Sequence, residues 1–173
     1  MRERPTFILL MIVLFLFSAY ANQEQVIEWE WLDFSVAYPA AKKSNKHLII
    51  NFYSIGCGWC RKMDNSTFGN IAIAKHLNEN FIGAKINIAS NRKIDWMGEE
   101  LTERELAVKL AGRGTPYTTF IDTSGNVVAK LPGYIPAERF IFILDYVAGY
   151  WYEDLSYQEY LISSKIIEAQ DKN

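Results

Sequence analysis

The sequence predicts an α/β protein: a central mixed β-sheet flanked by helices, with an extra helix at the C-terminus. Two continuous apolar runs of strand length, "HLIINFY" (47–53) and "FIGAKINIA" (81–89), are separated by helical text. Such runs suit strands buried on both faces, as in a parallel sheet, and a parallel pair needs a crossover between its members. Further on, "TPYTTFID" and "NVVAKLPG" are joined at "DTSGN", a turn signal that fits an antiparallel hairpin. A hairpin added to parallel strands makes the sheet mixed.

At the N-terminus, "MRERP" carries two arginines, "FILLMIVLFLF" (7–17) is an apolar run of eleven, and Ala19 and Ala21 form an A-x-A pattern. This three-part pattern predicts a signal peptide over 1–21 and a mature chain of 22–173, periplasmic or otherwise exported. An uncleaved anchor is the alternative, but a spanning helix needs roughly 20 apolar residues. The mature chain is expected to be a single domain. Of the 173 residues, half are hydrophobic and 14% aromatic, ample for one packed core. Net charge is −2 and no basic block stands out, which argues against a nucleic-acid surface.

Phe34, Ala37, Ala40 and Ala41 fall at helical spacing, and Pro39 among them predicts a kink or a late start. After the first strand, helical text runs from "RKMDNSTF" to "IAIAKHLNEN". The second strand is followed by a polar excursion, "SNRKIDWMGEEL", holding one short extended piece at 94–97. Thr102 and Glu105 form a capping box that opens the next helix, and Gly112 supplies its stop. Past the hairpin, "IPAERFIFILDYVAGYW" is amphipathic, with Pro136 near its first turn. Ser156 and Glu159 repeat the capping box and open the last helix. The expected order is α-β-α-β-α-β-β-α-α.

Cys57 and Cys60 are the only cysteines. As a structural staple, their four-residue ring would remove little chain entropy. A zinc site usually has four ligands, and beyond this pair the chain offers only His47 and His76, each read as an ordinary surface or half-buried residue. A redox couple accounts for the spacing with no metal and no cofactor. Cys57 lies between a strand and a helix, where free N–H groups and the helix dipole favour a thiolate. Arg61 and Lys62 add positive charge. A thiolate attacks disulfides, and two intervening residues let Cys60 reach back one turn to resolve the product.

The segments "NFYSIGCGWC", "AKINI" and "GRGTPYTTFIDTSGNVV" together resemble the thioredoxin superfamily, over about 31–150. Within it, "CGWC" followed by "KMD" and "TF", with "IDWMGEELTERELAVKLAGRGTP" and "LSYQEYL", is similar to exported thioredoxin-like proteins, the SoxW-type thioredoxins and the C-terminal domain of DsbD. The resemblance implies a thioredoxin fold, with Cys57 as nucleophile and Cys60 as resolving thiol. It implies a cis-proline at Pro116 facing the disulfide, and Thr115 offering its backbone to an extended substrate. Gly58 and Trp59 fill the motif, and Trp59 is expected to be exposed, covering the disulfide or touching partners.

Two positions depart from the family pattern. Thioredoxins bury an acid on the strand entering the motif, and here that position is Asn51, whose amide cannot serve as a base. Lys85 matches the lysine that neighbours this acid and so needs another partner or must reach solvent. The second departure is Trp59, which stands where thioredoxin has proline. The resemblance implies a reductase that draws electrons from a membrane thiol donor and passes them to protein disulfides. The alternatives are an oxidase or isomerase of the same fold, or a peptide-binding chaperone or adaptor without redox turnover.

Overall fold

The computed structural model describes residues 27–171, so the expected signal segment lies outside the described residues. Asp33 opens the first described helix, α1 (Phe34–Ser44), by accepting the Ser35 N–H at 2.9 Å. The helix needs no late start. It begins five residues before Pro39 and runs past it, with the proline on the exposed side.

Strand β1 (His47–Tyr53) is buried along all but its last residue, as its unbroken apolar text requires. Helix α2 (Gly58–Met63) follows the cysteine loop and widens directly into a π-helical turn, Asp64–Phe68. The expected single helix is thus interrupted. The Gly69 N–H bonds the Asp64 carbonyl five residues back at 2.8 Å, and the Thr67 hydroxyl donates to the Ile135 carbonyl at 2.6 Å. Asn70 restarts the chain as α3 (Ile71–Asn80) by accepting the Ala72 and Ile73 N–H groups.

Strand β2 (Phe81–Asn87) stops two residues short of expectation, because the Asn87 side chain takes the Ala89 N–H at 3.1 Å and turns the chain. The polar excursion holds a complete hairpin, not one extended piece. It comprises β3 (Lys93–Trp96) and β4 (Glu99–Thr102), turned at Met97 and Gly98 with φ of 57° and 84°. Two successive positive φ values are what a tight two-residue hairpin turn needs. Trp96 packs near the rings of Phe34 and Tyr38. Thr102 and Glu105 cap α4 (Glu103–Leu110) reciprocally, as their spacing predicts.

The closing hairpin is β5 (Tyr117–Ile121) and β6 (Val127–Pro132), followed by α5 (Ala137–Ala148), a short turn at Trp151–Glu153, and α6 (Tyr157–Asp171). The sheet order is β2-β1-β5-β6, with β2 parallel to β1 and both β5 contacts antiparallel. Alternation along β1 sends Leu48, Ile50 and Phe52 to one core, with Phe34 and Leu106. Ile49 joins the other, with Met63, Phe120 and Phe140. Asn51 lies on this second face, beneath α2.

Candidate functional site

The site begins where β1 runs out. Three loop residues carry the chain from Tyr53 to Cys57, which caps α2 in an extended conformation. The Cys57 sulfur accepts the Cys60 N–H at 3.0 Å. The two sulfurs form a disulfide of 2.06 Å, with Cα atoms 5.3 Å apart. Cys60 is buried at 5% exposure and Cys57 is half-buried, so the outer sulfur is the one a partner can reach. Gly58 is exposed, and a Cβ there would meet nothing nearer than the Arg61 guanidinium at 4.0 Å.

Trp59 is 57% exposed. Its ring stands 5.5 Å from that of Tyr134, and the Lys62 ammonium lies 4.8 Å from both ring centres, within cation–π range. Trp59, Thr115 and Pro116 line one cavity of about 340 Å³. Gly133 and Tyr134 complete it, and sequence reasoning missed both. The Thr115–Pro116 peptide is cis. The Thr115 and Ser54 hydroxyls are bonded at 2.9 Å, and the Gly133 N–H donates to the Pro116 carbonyl at 2.9 Å. These two bonds fasten the loop before the cysteines, the Thr115–Pro116 loop and the end of β6 together.

Beneath α2 lies a polar tier. Asn51 is 1% exposed and donates to the Thr118 hydroxyl at 3.2 Å. Its register partner on β2 is Lys85. The partner that Lys85 required is Asp64, at 2.6 Å, with the Tyr53 ring 5.4 Å from the same ammonium. Asp64, the first residue of the π turn, was not singled out from sequence.

Neither histidine joins this site. His76 bonds Asp145 at 2.7 Å, joining α3 to α5. His47 is more buried than expected, at 2% exposure, and its Nε2 lies 2.9 Å from the Tyr152 hydroxyl. Among the described residues, no group of three or more His, Cys, Asp or Glu side chains could hold a metal ion.

A family model for the thioredoxin-like domain matches residues 34–148. The chain belongs to the thioredoxin-like family. The matched span contains both cysteines, Pro116 and every strand of the thioredoxin-like sheet. The thiol:disulfide interchange protein DsbD of Photorhabdus laumondii is 23% identical over 121 residues, 69% of this chain and 19% of that protein. Of the solved structures, a thioredoxin-fold protein from Helicobacter pylori superposes with a TM-score of 0.57 at 24% identity, covering 70% of this chain and 80% of that one. A thioredoxin from Thermus thermophilus gives 0.56 at 22%, covering 69% and 87%. This thioredoxin-like chain spans less than a fifth of the length of the curated relatives it matches.

Proposed function

We propose that the chain is an exported thiol–disulfide oxidoreductase working as a reductase of protein disulfides. The observation that carries this reading is the asymmetry of the pair: an accessible Cys57 sulfur capped by an N–H, joined to a buried Cys60. In the reduced form, that N–H would stabilise a Cys57 thiolate. The thiolate attacks a partner disulfide, forming a Cys57–partner bond and releasing one partner thiolate. Cys60 then attacks the Cys57 sulfur, and the second partner thiol departs. The pair loses two electrons and the partner gains two.

A membrane thiol donor would restore the dithiol, and no metal or cofactor enters the cycle. The cavity by Trp59, Thr115 and Pro116 suits the segment that carries the target disulfide. Main-chain hydrogen bonds at Thr115 would hold that segment in extended form. Export rests on the 1–21 leader pattern, and the reductase direction on the resemblance to exported thioredoxin-like proteins.

The test is insulin-disulfide reduction together with the equilibrium potential of the pair. Turnover is expected to vanish in Cys57→Ser, Cys60→Ser is expected to trap partners as mixed disulfides, and the potential should lie near −270 mV. Absence of turnover in the wild-type chain, with partner binding kept in Cys57→Ser, would overturn the redox reading in favour of a peptide-binding adaptor. A potential near −120 mV would make the protein a disulfide donor.

A further inference from the structure

Release of the mixed disulfide needs Cys60 as a thiolate, so the proton of the buried Cys60 thiol must go somewhere. Asn51, directly beneath α2, has no basic site, and its amide is committed to Thr118. The nearest carboxylate along the chain is Asp64, one helical turn past Cys60. Its backbone N–H bonds the Cys60 carbonyl, and residues four apart on a helix stand about 5–6 Å apart at Cβ. Lys85, fixed opposite Asn51 by the β1–β2 register, reaches across to hold this carboxylate at 2.6 Å. The polar tier thus keeps the strand lysine but carries its acid on the active-site helix.

We propose that Asp64, positioned by Lys85, accepts the proton of the Cys60 thiol as the mixed disulfide is resolved. This inference rests on the redox reading above. The Cys60 S–H bond breaks and the proton passes to the Asp64 carboxylate. The Cys60 thiolate then forms the bond to the Cys57 sulfur. The Cys57–partner bond breaks with its electron pair on the partner sulfur, which leaves as a thiolate.

Lys85 from β2 holds the Asp64 carboxylate, the Tyr53 ring of β1 faces that ammonium, and Arg61 and Lys62 precede Asp64 on its own segment. α3 and α5 also pack against the π turn. Their His76 and Asp145 are bonded to each other, and Arg139 faces Tyr157.

The two steps separate when the reduced full chain is mixed with an aromatic disulfide that releases a coloured thiolate. The first burst reports attack by Cys57 and the second reports attack by Cys60, each followed from pH 5 to 9. Asp64→Asn is expected to slow the second burst about a hundredfold at pH 7, at the low end of general-base effects. Its pH profile should shift toward that of an ordinary thiol, near 8.5, with the first burst unchanged. Asp64→Glu should restore the neutral-pH rate in part. An unchanged second burst in Asp64→Asn overturns the proposal. Equal slowing of both bursts with a lowered melting temperature also overturns it, since that marks a structural role. If wild-type protein shows neither burst, the redox reading itself fails and takes this inference with it.

Discussion

The two ends of β1 are finished in opposite ways. At its start, His47 is sealed beneath Tyr150 and Tyr152, and burial lowers its pKa from the ordinary histidine value. Burial also pushes Tyr152 up to about 12. The phenol therefore keeps its proton at neutral pH and shares a hydrogen bond of 2.9 Å with the His47 Nε2. At the other end, the loop that leaves the strand is open. Ile55, Gly56, Gly58 and Trp59 are exposed, and the disulfide sits among them. The difference teaches that one strand can be an anchor and a platform at once: the plugged end supplies stability, and the open end supplies access.

Phe52, next to last in β1, is wholly buried. Phe52→Ala should cost about 3–5 kcal/mol in chemical denaturation, erasing the contrast by weakening everything. His47→Ala separates the ends. Losing the bond to Tyr152 should cost about 1–3 kcal/mol, with insulin-disulfide turnover retained. If turnover falls in parallel with stability, the ends are not independent.

Titration gives a finer test, because the two histidines carry opposite signs. The folded pKa of His47 is depressed, so its contribution is complete above about 6.5 and is lost as pH falls through the lowered folded value. The His76 pKa is raised, chiefly by its hydrogen bond to Asp145. Its contribution is complete below about 6.5 and is lost as pH rises through the raised folded value. Stability measured against pH should lose its slope on the acid side in His47→Gln and on the neutral-to-basic side in His76→Gln. The smallest stability change belongs to the open end. Trp59→Ala should move stability by no more than about 0.5 kcal/mol while raising KM for a peptide disulfide more than it lowers kcat.

The strands of the thioredoxin-like sheet were legible because runs such as "HLIINFY" are apolar on both faces, which few other structures tolerate. The capping boxes at Thr102 and Ser156 were legible because their two members lie three residues apart. β4 was not, since its Glu99 and Glu100 are exposed and its turn sets a methionine, not asparagine, at positive φ. The π turn leaves no period to read. In the site, Asn51 and Lys85 stood out by position, but Asp64 did not. It meets Lys85 across 21 residues of sequence, and no local spacing says which acid of a helix will face a given strand lysine. Tyr134 joined the site in the same way, through folding that brings the end of β6 beside Trp59.

β2 is an outer strand of the sheet; among the described residues its free edge is paired by one bridge, Leu32 to Ala84, and the indoles of Trp29 and Trp31 lie over its face at Gly83. A side chain at Gly83 would collide with both indoles, so this position admits no other residue while the cover stays in place. An uncovered outer strand is a template for other chains. Loss of this cover would therefore show itself first as fibrous or amorphous self-association of otherwise folded molecules, before any loss of helical structure.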